Sequence, residues 1–154
     1  MEAPPRVAVV DASPCIALAR IGQIGLLPAM FDEVAVPRSV FLELVVSERS
    51  DEAWSIVNYD RVSIVHAPGL ALAAPSGLSP ADCDVISFAL ERRPHSVVID
   101  DRVASRFATR VGLKVVGTIG VIAAARRRGL VDAARPLLGR LVAIGFHVRR
   151  ELVD

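Results

Sequence analysis

The chain has 154 residues, 53% of them hydrophobic, and a formal net charge of +1. This length supports a sizeable core, so we predict one domain over residues 1–154 that needs no disulfide or structural metal. No apolar run approaches the ~20 residues of a membrane-spanning helix, and the N-terminus lacks the pattern of a signal peptide. Cys15 and Cys83 form no CxxC pair, which indicates free thiols in a reducing cytoplasm.

The charge is unevenly distributed along the chain. Residues 1–100 contain 7 Arg and 13 Asp or Glu, whereas residues 101–154 contain 11 Arg or Lys and 4 acids. All but one of the 18 basic residues are Arg, the side chain suited to bidentate phosphate contacts. A basic region beside an acidic one fits a metal-dependent enzyme that acts on a polyanion, although each single Arg could simply be solvated surface.

Hydrophobic patterns and capping signals predict strands that alternate with helices. The predicted strands cover residues 7–10, 34–36, 62–66, 96–99 and 113–116. The first helix has Ser13 as N-cap and Pro14 as first residue and ends near residue 21. The other predicted helices cover residues 24–31, 38–48, 51–58, 80–91, 102–111, 118–129 and 132–144. Residues 67–77 form a long loop and the tail after residue 145 is ambiguous, while the alternation predicts a parallel sheet covered on both faces.

Two predicted strands end in carboxylates. Asp11 follows strand 7–10, and Asp100 and Asp101 follow strand 96–99. In open α/β sheets, ligands bind beyond the carboxyl ends of the strands, so these acids are expected at one edge. Asp11 could instead cap the following helix, but Ser13 is better placed for that cap. The Asp100–Asp101 pair is either a charged turn or part of a site, and its position after a strand favours the site.

Two further acids have both a structural and a functional interpretation. Glu43 is the only polar residue in VFLELVV, residues 40–46, so it lies either on a narrow exposed stripe or in a polar cleft. We favour the cleft, because a helix this apolar has little solvent face. Asp82 stands three residues after Ser79, which fits a capping box as well as a site. Asp84 is expected elsewhere on the same helix, in solvent.

The ligand chemistry favours a hard metal ion. Carboxylates without a His or Cys cluster suit Mg²⁺ or Mn²⁺ rather than Zn²⁺. The three histidines are distant from one another in sequence and are assigned to the surface or to packing. The chain contains no serine-hydrolase elbow, no GxGxxG and no Walker A lysine, which argues against serine hydrolysis, dinucleotide binding and NTP hydrolysis.

Five segments occur in a characteristic order over nearly the whole chain: VVDASPCIALARIG, VPRSVFLEL, LSPADCDVISFAL, VVIDDRVASRFATRVGLKVVGTIGVIAAARRRGL and LVAIGF. Together they resemble the PIN domain superfamily, the ribonuclease fold of VapC-type toxins, in the branch with D-x-S-P and I-D-D-R motifs. The resemblance implies a three-layer α/β/α fold with a central, mostly parallel sheet of four to five strands. It implies a metal site formed by Asp11, Glu43, Asp82 and Asp101, with Asp100 alongside and Ser13 as a catalytic hydroxyl. Because Asp82 replaces the Glu usual in this branch, Asp84 stays open as the alternative ligand.

The resemblance also implies a function. The protein is expected to be a cytoplasmic endoribonuclease that hydrolyses RNA phosphodiester bonds with Mg²⁺ or Mn²⁺, as the homodimeric toxin of a toxin–antitoxin pair. Candidate phosphate contacts are the arginines of the C-terminal third: Arg102, Arg106, Arg126, Arg127 and Arg128. With one Trp and one Tyr, base stacking is expected to be limited.

Two alternatives stay open. The first is a catalytically silent PIN-like module that binds RNA or a protein. The second is a phosphatase or receiver-type domain, which we rank lower for two reasons: Ser13 stands where a phosphatase has its second Asp, and the only lysine, Lys114, is badly placed for a receiver.

Overall fold

A computed structural model describes residues 3–47, 52–70 and 73–149. Five strands form one sheet in the order β3-β2-β1-β4-β5, and every neighbouring pair is parallel. The strands are β1 (Val7–Val10), β2 (Glu33–Pro37), β3 (Val62–Val65), β4 (Ser96–Val98) and β5 (Val115–Val116). The strand order changes direction between β1 and β4, so the carboxyl ends of these two strands form a topological switch point, where ligands bind in folds of this kind.

The helices cover the sheet in a three-layer α/β/α arrangement, which confirms the predicted fold class. They are α1 (Ala12–Arg20), α2 (Leu26–Met30), α3 (Arg38–Val46), α4 (Pro80–Arg92), α5 (Arg102–Arg110), α6 (Thr118–Arg127) and α7 (Arg135–Ala143), with a 3₁₀ helix at Ala53–Asn58. All four residues of β1 are buried, as expected for the central strand of a sheet with both faces covered. Among the described residues, no helix is long and apolar enough to cross a membrane.

The start of α1 differs from the prediction. Asp11, not Ser13, is the N-cap: its backbone continues the extended conformation of β1, and its Oδ1 accepts a hydrogen bond of 2.9 Å from the Ala12 N–H. Ser13 lies within the first turn and is exposed. Pro14 is tolerated there because first-turn amides have no intrahelical acceptor. The capping prediction for Ser13 was therefore wrong, since the strand passes into the helix without a linker residue.

Other element boundaries differ by a few residues. The segment predicted as a helix over 51–58 is a 3₁₀ helix, and the last helix starts at Arg135, where Pro136 occupies its first turn. Pro37 is the last residue of β2 and pairs with Val65 of β3. Some predicted segments extend beyond the described residues: these are residue 48 of the third helix, residue 51 of the following helix, residues 71–72 of the loop and residues 150–154 of the tail. The described parts of the loop contain neither helix nor strand, and Cys15 and Cys83 are unpaired.

Candidate active site

Three adjacent strands deliver polar side chains to one edge of the sheet. The Asp11 N–H donates to the Val98 carbonyl over 3.0 Å, which aligns the ends of β1 and β4. The Ile99 N–H donates to the Val116 carbonyl, also over 3.0 Å, which aligns β4 with β5. Asp11, Asp100 and Thr118 therefore follow neighbouring strand ends, as the sequence predicted for the two acids.

Asp11 is a buried acid that faces other acids. Its side chain is 5% exposed, and Asp82 on α4 is 7% exposed. The pKa of Asp11 is raised to about 7, mainly by burial and then by the charge of Asp82, with smaller increases from the contact between the two carboxyl groups and from the charge of Glu43. The Ala12 amide acts in the opposite direction. Two buried carboxyl groups within hydrogen-bonding reach are unfavourable when both are ionised, unless a proton or a cation lies between them.

Asp82 has both of its predicted roles. The Asp82 N–H donates to Ser79 Oγ and the Ser79 N–H donates to Asp82 Oδ2, each over 3.0 Å, which completes a capping box at the start of α4. This reciprocal pair fixes the orientation of the carboxyl group, and the cap engages only Oδ2. The helix start thus holds Asp82 in place beside Asp11.

Asp84 is directed to a different neighbour. Its Oδ2 accepts a hydrogen bond of 2.6 Å from Ser39 Oγ, near the start of α3. Asp84 is half-buried between α3 and α4 rather than solvated as expected. Of the two acids that the sequence left open, Asp82 is the one next to Asp11.

Glu43 is exposed on α3, and the reason that favoured a cleft for it does not hold. Its premise was that so apolar a helix has little solvent face, but α3 exposes Leu42 (51%), Val45 (52%) and Val46 (75%). The charge of Glu43 nevertheless contributes to the raised pKa of Asp11. Glu43 therefore lies at the solvent margin of the Asp11–Asp82 pair.

Asp100 and Asp101 have different environments. Asp100 Oδ1 accepts from the Thr118 N–H (2.7 Å) and its Oδ2 from Thr118 Oγ1 (2.5 Å). Burial raises the pKa of Asp100, and the two hydrogen bonds from Thr118 counteract that increase. Asp101 is exposed and caps α5, its Oδ2 accepting from the Ala104 N–H over 2.8 Å. The sequence favoured Asp101 over Asp100, whereas Asp100 is the better shielded of the two.

Gly117 permits the contact between Asp100 and Thr118. A Cβ at this position would lie 2.8 Å from Asp100 Oδ1, closer than real side chains approach. Sequence analysis did not identify Gly117 or the fully buried Thr118 as site residues. A signal was present, since Gly117-Thr118 directly follows β5, the third strand at the same edge.

Cys15 lies close to Asp11 and to Asp100. Its thiol is fully buried in α1. Burial raises the pKa of this thiol above its ordinary range, and the charges of Asp11 and Asp100 raise it by smaller amounts. A thiol held neutral in this way is neither a nucleophile nor a metal ligand. Cys15 thus acts as a small apolar spacer at the site.

A cavity of about 300 Å³ opens beside α1 at this edge. Ser13, Asp100 and Asp101 line it together with residues of α1 and of the segment after α7. Ser13 therefore faces the Asp100–Asp101 side of the site. The predicted acids fall into two groups, one formed by Asp11, Asp82 and Glu43 and the other by Asp100 and Asp101.

The predicted arginines also divide into two groups. Arg102 and Arg106 are exposed on α5, which begins directly after Asp101 at the acid edge. Arg126, Arg127 and Arg128 end α6, which runs away from that edge. Arg128 Nη1 donates to the Met30 carbonyl over 2.8 Å, near the start of β2 and hence at the opposite edge of the sheet.

The donor set fits a divalent cation of the Mg²⁺ type. Within the described ranges, no three His, Cys, Asp or Glu side chains form a group that could hold one ion. Mg²⁺ does not require such a cage, because it usually binds through one or two carboxylates and keeps several waters. The buried Asp11–Asp82 pair, with Glu43 at its margin, supplies the one or two carboxylates that Mg²⁺ requires.

Comparisons with known proteins place this chain in a family. It matches the family DUF3368, described as PIN domain, over residues 7–154. Among solved structures it is similar to the PIN domain endonuclease Utp24, with a TM-score of 0.57 and 14% identity over 75% of this chain and 86% of that one. A search of curated proteins finds no match. The chain belongs to the PIN domain family, which confirms the predicted PIN superfamily.

Proposed function

We propose that the protein is a divalent-metal-dependent endoribonuclease. The observation that carries this proposal is the Asp11–Asp82 pair, two carboxyl groups buried together at the switch point of a parallel sheet. PIN domains are generally nucleases that use divalent metals, and the similar Utp24 structure is that of an endonuclease. The family thus agrees with the chemistry that this pair is suited to.

The residues of the chain have separate tasks in this proposal. Asp11 and Asp82 would hold Mg²⁺ or Mn²⁺, and Glu43 and Asp100 would add negative charge near the ion. An ion held there would activate a water and stabilise charge on the leaving oxygen of a phosphodiester. Ser13 orients a water or a phosphate oxygen at the cavity, and Thr118 positions Asp100. Asp101 caps α5 beside them.

We propose that the RNA backbone follows α5. Arg102, Arg106 and Arg110 are exposed and recur every four residues, so they rise about 6 Å apart along one side of the helix. Arg106 and Arg110, with Ser105 and Thr109, line an open groove of about 440 Å³. Because this row starts beside Asp101, phosphates bound to it would lead the strand to the acids.

The test is cleavage of a fluorescent RNA by purified protein with Mg²⁺ or Mn²⁺, and with EDTA. We expect metal-dependent cleavage that Asp11→Asn and Asp82→Asn each reduce by at least ~100-fold, in line with the loss of a group that stabilises the transition state. Asp84→Asn is the matched control, since it makes the same change two residues away in an acid directed at Ser39. Cleavage in EDTA, or full activity of Asp11→Asn, would refute the proposal.

One observation supports the alternative of a silent module that binds RNA or protein. The raised pKa of Asp11 means that a proton can relieve its repulsion with Asp82 without a metal. A silent module would bind RNA equally well with Mn²⁺ and with EDTA and would leave it intact. Metal-dependent cleavage that requires Asp11 excludes this alternative.

We further propose that the protein acts in the cytoplasm as the toxin of a toxin–antitoxin pair and forms a homodimer. The exposed Leu42, Val45 and Val46 on α3 support a protein partner, since neighbouring apolar side chains are rarely left in solvent. Expression of the wild type should arrest bacterial growth, and expression of Asp11→Asn should not. Light scattering should give twice the mass of the chain. Normal growth of the wild-type strain would contradict the toxin role, and a monomer would contradict the dimer.

A further inference from the structure

The cavity beside α1 has a chemistry that the metal pair does not use. Asp100, Asp101 and Ser13 line it, and so does Arg20 from the last turn of α1. Ile16 and Phe146 supply apolar surface. The cavity thus combines carboxylates, a guanidinium group and an aromatic ring within about 300 Å³.

The turn after α7 fixes the backbone position of Phe146. Helix α7 ends in a Schellman motif, in which the Phe146 N–H donates to the Leu141 carbonyl (2.9 Å) and the Gly145 N–H to the Val142 carbonyl (3.0 Å). Gly145 has φ +89°, the left-handed conformation that the motif requires. Arg20 Nη1 lies 3.5 Å from the Ile144 carbonyl, which ties this turn to α1. Phe146 is therefore held at the cavity without the cost of ordering a loop.

We propose that this cavity takes one unstacked nucleotide of the RNA, next to the phosphate that is cut, with the base against Phe146. The inference rests on the proposed nuclease function and names its substrate class, single-stranded or looped RNA. Aromatic side chains stack on bases that are splayed out of such regions. Arg20 donates to the base edge or to the flanking phosphate, and it has five N–H groups for this purpose.

Size and charge favour this ligand over others. The cavity is at the lower end of the range of small-molecule pockets, ~300–1,000 Å³, so it admits one nucleoside and excludes a base-paired duplex. Carboxylates line it together with a single guanidinium group, which disfavours a ligand that is anionic throughout. A nucleotide has a neutral base, a ribose with hydroxyl donors for Asp101 or Ser13, and an anionic phosphate, and so matches the lining.

The test is an NMR titration of isotope-labelled wild-type protein in EDTA with AMP, GMP, CMP and UMP in turn. We expect shifts of the Ser13, Gly145 and Phe146 amides for at least one nucleotide. Phe146→Leu keeps an apolar side chain but removes the ring, and should weaken binding roughly 5- to 100-fold. Phe146→Tyr keeps the ring and should retain binding. Phe88→Leu is the matched control, because Phe88 is also half-buried but lies in the cleft beside β2 and β3. This variant should bind nucleotides as the wild type does.

A second measurement maps cleavage sites by sequencing the RNA fragments. Phe146→Leu should lose preference for the nucleotide at the cut and still require metal. If no nucleotide shifts the amides around Phe146, or if Phe146→Leu binds like the wild type, the inference is wrong even where Asp11→Asn abolishes cleavage. If nucleotides bind with the expected dependence on the ring but no metal-dependent cleavage occurs, the proposed nuclease fails and the cavity stands as a nucleotide site.

Discussion

Replacing Asp11 by Asn should stabilise the protein in the absence of metal. The change keeps the size of the side chain and an oxygen that can accept from the Ala12 N–H, and it removes a buried charge beside Asp82. Such a gain is unusual for a buried polar residue, because most substitutions in a core destabilise. The reason lies in the raised pKa of Asp11.

The sign follows from linkage between protonation and folding. The pKa of Asp11 is raised from 3.8 to about 7 in the folded state, so folding favours the protonated form. This contribution to stability is fully present below pH 3.8 and is lost as the pH rises through 7. Over three pKa units, the loss amounts to about 4 kcal/mol at pH 8 and above. The Asn side chain is still a buried polar group, so we expect Asp11→Asn to recover only part of this lost stability. The expected gain is ~2 kcal/mol, which corresponds to about 4–8 °C in Tm.

Thermal unfolding in EDTA at pH 5, 6, 7 and 8 tests this prediction. The Tm of Asp11→Asn minus that of the wild type should increase with pH and level off near pH 8. Mn²⁺ should then raise the Tm of the wild type but not that of the variant, because an ion bound to the native state stabilises it. Asp84→Asn is the control and should not raise the Tm, since Ser39 already satisfies that carboxylate. If the variant is no more stable than the wild type at pH 8, or if the difference in Tm does not depend on pH, the buried charge of Asp11 does not destabilise the fold.

Three further predictions concern the surroundings of the pair. Gly117→Ala should displace Asp100, whose Oδ1 would lie 2.8 Å from the new Cβ, and should weaken its hydrogen bonds from Thr118, so we expect both RNA cleavage and the Tm to fall; unchanged cleavage would contradict this. Thr118→Val leaves Asp100 without its hydroxyl donor and should destabilise by about 1–3 kcal/mol in urea unfolding, whereas Thr118→Ser keeps the donor, loses only a buried methyl group and should cost less; equal effects of the two would count against the hydrogen bond. Arg106→Ala should reduce the slope of log Kobs for RNA against log salt by ~0.7, and Arg128→Ala should leave it unchanged and lower the Tm; the reverse pattern would place the RNA at the other edge.

Local sequence patterns were sufficient for the framework of the fold. The β-branched run of Val7–Val10 and the apolar residues before Asp100 marked the two central strands, and the acids after them marked the edge. Short-range signals such as Ser79-Pro80 also identified the start of α4 and its capping box. These features depend on neighbours a few residues apart, which a sequence displays directly.

The features that the sequence did not reveal depend on long-range contacts. The exposure of α3 depends on how much of that helix other elements cover, so the composition around Glu43 was misleading. The environment of Asp100 is set by Gly117 and Thr118, on a different strand end, which the Asp-Asp sequence does not reveal. The cavity wall at Phe146 likewise arises only when the end of α7 meets α1.

Anomalous X-ray scattering from crystals grown with Mn²⁺ can locate the metal relative to Asp11 and Asp82. We expect a peak in contact with one carboxyl oxygen of Asp11 and one of Asp82, with Glu43 or Asp100 reached through water. The peak should vanish in Asp11→Asn and persist in Asp84→Asn. No peak between Asp11 and Asp82, or a peak that survives in Asp11→Asn, would contradict the assignment of this pair as the metal centre.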